Sequence, residues 1–175
     1  MIFTFYLLLF FTAQNMVSGQ EKLTMNQNVQ LTSEIFRYGD IIPIMYTCHG
    51  ENKSPQLQWN QIENAQSYTL ILEDPDAPKG TYVHWVLFNI PGNITELPEK
   101  ILASKIGATD GINSAGKRGY IGPCPPPGMH RYFFTLYALN IKLKLGSNTT
   151  AQEVKKAMEG HIISQGSLLG LFGTQ

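Results

Sequence analysis

The stretch SYTLILEDPDAPKGTYVHWVLFNI, residues 67–90, decides the fold of this chain. Residues 67–74 and 81–90 are rich in β-branched and aromatic side chains, and each segment is apolar at both alternating positions. The residues between them include an aspartate, two prolines and a glycine, which is typical of a turn. Because strands that are apolar on both faces lie in the middle of a sandwich, the stretch predicts two central strands.

A third strand and one helix extend this pattern. HRYFFTLYALN, residues 130–140, is similar in composition and predicts another strand. A helix is predicted from about Ala151 to Ser164, because Thr150 and Glu153 fit a capping box and apolar residues recur at helical spacing. The residues of this apolar stripe are Val154, Ala157, Met158 and His161 or Ile162. A stripe of this kind packs a helix against a sheet, so the helix is expected to be structural.

Length and composition indicate one globular domain. The chain has 175 residues, of which 43% are hydrophobic, and this is enough for a real core. Residues 20–175 contain no repeat and no composition break, so we predict a single all-β domain with one or two short helices. Thirteen basic and thirteen acidic residues cancel, and nucleic acid is therefore not expected as a partner.

The first nineteen residues, MIFTFYLLLFFTAQNMVSG, differ from the rest of the chain. The apolar run from Ile2 to Phe11 has the length of a signal-peptide core and is shorter than the roughly 20 residues that span a bilayer. We therefore predict a signal peptide, residues 1–19, that is removed before Gln20, and a protein exported to a periplasm or secreted without a stable membrane anchor. A basic start is missing, and an uncleaved anchor or a buried strand is the alternative.

Export bears on the two cysteines. In an oxidising compartment Cys48 and Cys124 could form a disulfide, whereas in a cytosol they would be two buried thiols. Neither belongs to a CxxC or zinc pattern, so no metal site and no cofactor are predicted. Three sequons, at Asn52, Asn93 and Asn148, would matter only in a eukaryotic secretory pathway.

Polar side chains stand near the ends of the predicted strands. With a period of two, the strand at 81–90 groups a tyrosine and a histidine with Val86 and Phe88, and the strand at 130–140 groups a histidine and a tyrosine with Phe134. The polar residues at the three strand ends are Asp74, Asp76, Tyr82, His84, His130 and Tyr132. Singly, each has a structural explanation as a core histidine or a turn aspartate. Together they indicate a binding site.

The loop before the third strand supports this interpretation. YIGPCPPPGMHRYFFTL, residues 120–136, places four prolines and two glycines around Cys124 and ends its loop part at His130. Proline fixes φ and glycine allows close approach of the backbone, so the loop is expected to be rigid. We call residues 121–127 the proline loop and predict that it is a preformed wall of the site.

Five motifs then stand in the order seen in the phosphatidylethanolamine-binding protein family. They are GENKSPQLQW (50–59), DPDAP (74–78), HW (84–85), GYIGPCPPPG (119–128) and HRY (130–132). The chain resembles the bacterial and archaeal branch, often labelled Raf-kinase-inhibitor-like. The resemblance runs from about Phe36 to Asn140, and HIISQGSLLGLF (161–172) also resembles the tail of that branch.

The resemblance implies a Greek-key, antiparallel, two-sheet fold with a small surface pocket for phosphate or a phosphorylated head group. Carried over to this sequence, the ligand-binding residues would be Asp74, Asp76, Pro78, Tyr82, His84, Gly122, Pro123, Pro125, His130 and Tyr132. Both cysteines lie within the resemblance, and we predict a Cys48–Cys124 disulfide in the exported protein.

The chemistry of such a pocket has to overcome the repulsion between carboxylates and anions. A buried carboxylate can accept an N–H from an imidazole, which fixes the tautomer and leaves the other nitrogen for the ligand. His84 and His130 would then be the donors, with Asp74 or Asp76 orienting them and with backbone N–H groups near Gly122 and Cys124 adding dipoles.

Two other functions stay open. One is a hydrolase or metal-dependent enzyme that uses the Asp/His cluster. No nucleophile elbow or metal-ligand spacing supports it, so catalytic residues are not predicted. The other is an inhibitor of a kinase or protease that acts through the rim of the pocket. The preferred prediction is a protein that binds a small anion and modulates a partner protein.

Overall fold

The computed structural model describes residues 28–174, so the predicted signal peptide lies outside the described part of the chain. Between residues 28 and 174, no helix is long and apolar enough to cross a membrane. The strands are β1 (Leu57–Gln58), β2 (Ser67–Asp74), β3 (Tyr82–Pro91), β4 (Glu96–Leu97), β5 (Thr109–Asp110), β6 (Gly128–Leu139) and β7 (Ile162–Thr174), and the helix is α1 (Ala151–Met158). Two 3-10 turns are at Ile44–Tyr46 and Ala103–Lys105.

Two antiparallel sheets form the fold. The main sheet has five strands in the order β5-β3-β2-β6-β7, and β1 pairs with β4 in a second, small sheet. The predicted β-rich fold with two antiparallel sheets is confirmed. The three strands predicted from the sequence are the three central strands of the main sheet, and β2 begins and ends where predicted.

Each face of the main sheet is buried by a different layer. On one face, Leu70 of β2 packs in the larger core with Leu57 of β1 and Leu97 of β4. On the opposite face, Ile71 of β2 packs in a smaller cluster with Val154 of α1. Both alternating sets of side chains on β2 are therefore covered, which explains why apolar residues occur at both alternating positions of that segment.

Helix α1 is shorter than predicted. The capping box is present, because Thr150 Oγ1 accepts from the Glu153 N–H and the Thr150 N–H donates to Glu153 Oε2 at 2.8 Å. The helix ends at Met158, and Gly160 then adopts a φ of 76°. A glycine in this left-handed conformation terminates helices, so the predicted extension to Ser164 is wrong.

Strand β7 (Ile162–Thr174) begins within the last residues of the predicted helix and continues to the end of the described chain. It pairs with β6 over nearly its whole length, from Gly128↔Thr174 to Leu139↔Ile162. The sequence did not predict β7 because the segment contains three glycines, and glycine is rare in strands. A Cβ at Gly166 would overlap the Val29 carbonyl oxygen, and one at Gly170 would lie 2.5 Å from the Ile42 side chain. The glycines thus allow residues 28–42 to cross the strand closely.

Strand β3 contains an extra residue at His84. Leu72 of β2 pairs with Trp85, while the next residue, Glu73, pairs with Val83. His84 therefore has no partner in the ladder, which defines a β-bulge. A bulge shifts the alternation of side chains between the two faces of the sheet.

Because of the bulge, the His84 side chain lies on the other face of the sheet from the one predicted. Val86 and Phe88 belong to the cluster under α1. The His84 ring instead lies 5.3 Å from the ring of Tyr132, which belongs to the larger core on the opposite face. The predicted grouping of His84 with Val86 and Phe88 is wrong, because the period of two does not continue through the bulge.

Candidate functional site

A cleft of about 220 Å³ lies where the ends of β2, β3 and β6 meet the proline loop. Its lining residues are Asp74, Ala77, Pro78, Tyr82, His84, Ile121, Gly122, Cys124, Pro125, Pro126 and His130. The lining is mostly apolar, and its ionisable side chains are one carboxylate, two imidazoles and one phenol. No lysine or arginine is among these residues.

Asp74 and His130 form the polar centre of the cleft. Asp74 is the last residue of β2, and His130 stands on the neighbouring strand β6. The Nδ1–H of His130 donates to Asp74 Oδ2 at 2.7 Å, and Asp74 Oδ1 accepts from the N–H of Asp76 at 2.9 Å. Both Asp74 and His130 are buried, with 3% and 7% of their surface exposed. The carboxylate thus holds the imidazole through Nδ1 and leaves Nε2 for a ligand.

His84 is held by the proline loop and not by a carboxylate. Its Nδ1–H donates to the Ile121 carbonyl at 2.8 Å, and the Ile121 N–H donates to the His84 carbonyl at 3.0 Å. The ring also packs 4.8 Å from the ring of Tyr82. Nε2 is again the nitrogen left for a ligand. The expected orientation of both histidines by aspartates applies to His130 alone.

The surroundings of His84 disfavour the charged form of its imidazole. Burial lowers the pKa of its imidazole, although hydrogen bonding to the Ile121 and Gly122 carbonyls and the charge of Asp74 act in the opposite direction. Because both rings use Nδ1–H internally, each Nε2 is an acceptor in the neutral ring and a donor only in the protonated ring. Donation to an anion by these side chains therefore requires the imidazolium form.

Long-range contacts hold the proline loop against residues 46–52. A disulfide joins Cys48 to Cys124, as predicted, and the Cys48 N–H donates to the Pro123 carbonyl at 3.0 Å. The Gly122 N–H donates to Asn52 Oδ1 at 2.7 Å. This backbone donor is already used, so it does not supply the dipole that we expected it to direct at a ligand.

Gly122 is also constrained by space. A Cβ there would overlap the Tyr46 carbonyl oxygen and lie 2.9 Å from Asn52 Oδ1. The hydroxyl of Tyr120, just before the loop, donates to the same Tyr46 carbonyl at 2.5 Å. The loop is thus fixed by the disulfide and by several hydrogen bonds.

The structure brings seven of the ten predicted ligand-binding residues to the cleft lining. They are Asp74, Pro78, Tyr82, His84, Gly122, Pro125 and His130. Whether these residues bind a ligand stays a prediction. The predicted ligand set lacks four lining residues, Ala77, Ile121, Cys124 and Pro126, which the quoted motifs DPDAP and GYIGPCPPPG contain.

The other three predicted residues lie beside the cleft or behind it. The Asp76 carboxylate pairs with the Arg131 guanidinium at 2.7 and 2.9 Å, and these hydrogen bonds lower its pKa to about 2. Pro123 turns its carbonyl to Cys48. Tyr132 is fully buried, and burial together with the nearby Asp74 carboxylate raises the pKa of its phenol.

One group of three or more metal-ligating side chains occurs among residues 28–174. It consists of Cys48, His49 and Cys124, whose ligand atoms all lie within 4.8 Å of one another. In this structure the two sulfurs are bonded to each other and do not act as ligands. The Asp74–His130 pair forms no such group with other side chains of the described region.

Comparison with known proteins identifies relatives for nearly all of the described chain. The family model described as phosphatidylethanolamine-binding protein matches residues 32–173. A UPF0098 protein of Methanothermobacter thermautotrophicus is 45% identical over 148 residues, which are 82% of this chain and 98% of the relative. A UPF0098 protein of Chlamydia pneumoniae is 45% identical over 150 residues, with the same two coverages.

Solved structures show the same fold. A phosphatidylethanolamine-binding protein homologue from Chlamydia trachomatis is 38% identical with a TM-score of 0.80, and the match covers 85% of this chain and 99% of the homologue. YbcL of E. coli, described as a new member of the mammalian PEBP family, is 29% identical with a TM-score of 0.79. That match covers 85% of this chain and 100% of YbcL.

Proposed function

The chain belongs to the phosphatidylethanolamine-binding protein family, and on that premise we propose that it binds a small anion, phosphate or a phosphorylated head group, in the cleft around Asp74 and His130. The observation that supports this most is the hydrogen bonding of the two buried imidazoles. Each is fixed through Nδ1, by Asp74 or by the Ile121 carbonyl, and each keeps Nε2 for a ligand.

The charge of the cleft sets the conditions for binding. With both rings neutral, Asp74 leaves the lining negative, and a phosphate would be repelled. Protonation of His84 and His130 makes the lining positive and converts both Nε2 atoms to donors. Binding is therefore expected to strengthen as pH falls. For His84 this happens below the usual pKa of 6.5, because burial lowers its value.

The size of the cleft also fits a small ligand. Pockets for drug-sized molecules have volumes of about 300–1,000 Å³. The 220 Å³ of this cleft are below that range and suit a single phosphate-sized group with a short substituent. The disulfide and the hydrogen bonds of the proline loop fix this shape, and a preformed site loses less entropy on binding.

Titration of phosphate and phosphoethanolamine by calorimetry, between pH 5 and pH 8, tests the proposal. His130→Ala should weaken binding by about 1–3 kcal/mol, the cost of losing a charge-assisted hydrogen bond. His161→Ala is the matched control, because that histidine bonds Asn140 away from the cleft. After correction for the second ionisation of phosphate, affinity that does not change with pH would contradict imidazolium donors.

Asp74→Asn separates orientation from repulsion. The amide cannot orient the His130 imidazole through Nδ1–H as a carboxylate does, so this variant should bind phosphate more weakly although it removes a negative charge. Simple repulsion predicts tighter binding. Tighter binding by Asp74→Asn would therefore rule out the orienting role of Asp74.

The same pair supports hydrolysis as a second candidate function. Neutral His130, held at 2.7 Å by Asp74, has an Nε2 lone pair that can accept a proton from water. Turnover of an ester or phosphoester that is lost in both His130→Ala and Asp74→Asn, and kept in His161→Ala, would favour the enzyme.

We also propose that the protein is exported and that it modulates a partner protein. The Cys48–Cys124 disulfide supports export, since disulfides persist in oxidising compartments. Intact mass of the secreted or periplasmic protein should correspond to a chain that begins at Gln20. A chain that keeps residues 1–19 would contradict cleavage.

A further inference from the structure

The Cys48–Cys124 disulfide has a histidine beside it that the cleft does not use. One ligand atom from each of Cys48, His49 and Cys124 lies within 4.8 Å of the other two, and His49 and Cys124 are exposed while Cys48 is half-buried. The His49 ring packs 6.0 Å from the ring of Phe172, and Cys124 also lines the cleft. Two sulfurs and an imidazole are the ligand types that Zn²⁺ and Cu⁺ prefer.

We propose that reduction of this disulfide creates a binding site for one thiophilic metal ion, with Cys48, Cys124 and His49 as its ligands. A dithiol reductant supplies two electrons and two protons, becomes a cyclic disulfide, and leaves two cysteine thiols. Metal binding then releases the two thiol protons, so that two thiolates and a neutral imidazole coordinate the ion. Water completes the tetrahedral coordination of Zn²⁺.

The distances are compatible with coordination. Zn–S bonds of about 2.3 Å and Zn–N bonds of about 2.0 Å place tetrahedral ligand atoms about 3.5–3.8 Å from one another. The present separations of up to 4.8 Å need only small side-chain rotations for the histidine. The sulfurs must move apart after reduction, and the exposure of Cys124 leaves room for this movement.

The backbone around the trio does not depend on the disulfide alone. The Cys48 N–H donates to the Pro123 carbonyl, and the Gly122 N–H donates to Asn52 Oδ1. The His49 N–H donates to Thr47 Oγ1 at 3.2 Å. These contacts keep both cysteines and the histidine near one another when the S–S bond is absent. The metal site is therefore largely preformed in the reduced protein.

The metal site shares Cys124 with the cleft lining and no other residue. Its histidine is absent from the cleft lining, and neither Asp74 nor His130 takes part. The site exists only where a reductant keeps the cysteine pair open. Its occupancy would thus report the redox state of the surroundings.

Cobalt titration tests the proposal. The protein is reduced with a phosphine, desalted without oxygen and titrated with Co²⁺. We expect one equivalent to bind with thiolate-to-cobalt charge-transfer absorption, and Zn²⁺ to displace it. The oxidised protein should show no such absorption. His49→Ala should weaken binding by about tenfold or more, and His161→Ala should have no effect.

Three results would overturn the proposal. The first is reduced protein that keeps its near-ultraviolet circular dichroism but gives no charge-transfer absorption. The second is His49→Ala that binds cobalt as tightly as the unchanged chain, because the histidine would then not be a ligand. The third is reduced protein that loses its tertiary dichroism, because the site requires the folded scaffold.

Discussion

The sheet side of the cleft, Asp74 and His130, and its loop side, residues 121–126, are positioned by different means. On the sheet side, strand pairing between β2 and β6 brings the carboxylate to the imidazole. On the loop side no strand is present, and contacts with residues 46–52 replace the ladder. The sheet side depends on the register of the fold, whereas the loop side depends on a few long-range contacts that single substitutions can remove.

Removal of the disulfide should have the largest effect on this difference. Cys48→Ser with Cys124→Ser should lower the free energy of unfolding by about 4 kcal/mol, because the bridge closes a long loop. The two cysteines are 76 residues apart in the sequence. Urea denaturation measures the loss, and the His130 imidazole resonances should stay unchanged because strand pairing holds that side. A loss below about 1 kcal/mol, or shifted His130 resonances, would contradict the division between the two sides.

Asn52→Ala should have the next largest effect. It leaves the buried Gly122 N–H without its acceptor, which costs about 1–2 kcal/mol of unfolding free energy. Asn52 also has a φ of 55°, a conformation that asparagine tolerates better than alanine. Asn52→Asp keeps an acceptor oxygen and should restore most of the loss. Asn93→Ala, at an exposed position, is the matched control, and equal losses in both alanine variants would contradict the role of Asn52.

His84 connects the two sides, because it stands on strand β3 and donates to the Ile121 carbonyl of the loop. Its substitution should change how stability depends on pH. Its pKa is lowered in the folded protein, so below the usual value of 6.5 the unfolded chain binds more protons than the folded chain. The free energy of unfolding should therefore fall as pH falls from 6.5 toward the folded pKa.

His84→Asn tests this titration, because the asparagine amide can still donate to the Ile121 carbonyl but does not titrate. Urea midpoints at pH 7.5 and 5.5 should differ less in this variant than in the unchanged protein. His161→Asn is the control and should keep the original difference. An unchanged difference in His84→Asn would assign the pH dependence to another group.

The smallest effect is expected for Asp76, outside the cleft on the sheet side. Its ion pair with Arg131 is partly exposed, and exposed pairs contribute about 0–1 kcal/mol. Asp76→Asn should therefore cost less than about 1 kcal/mol and leave phosphate affinity unchanged. Calorimetry beside Asp74→Asn makes the comparison. An affinity loss as large as that of Asp74→Asn would return Asp76 to the binding site.

The sequence predicted the sheet side of the site better than the loop side. Strand β2 was predicted to the residue, and Asp74 and His130 were expected at the ends of two predicted strands, which the structure shows to be neighbours. A strand that is apolar on both faces can be recognised from its own sequence. Asn52 and Gly122 are 70 residues apart in the sequence. Their contact is not part of a repeating pattern of side chains, so it could not be predicted from local sequence.

The two errors in the fold have a common physical cause. The end of α1 and the bulge at His84 are places where a regular period stops, and a period extrapolated past them assigns side chains wrongly. Gly160 marked the helix end in the sequence. No residue type in the sequence indicated the bulge, because its extra residue, His84, is not a glycine or proline that would interrupt a strand.

The crossing of residues 28–42 over β7 has a further consequence for the molecule in solution. The Ile42 N–H donates to the Leu171 carbonyl, the Leu171 N–H donates to the Asp40 carbonyl, and the Gly39 N–H donates to the Leu169 carbonyl, at 2.7–2.9 Å. These bonds occupy backbone groups at the outer edge of a thirteen-residue strand. An uncovered edge of that length is a template for strand addition by another copy. The segment therefore protects the protein from self-association, and a chain shortened to begin after residue 42 would aggregate edge to edge.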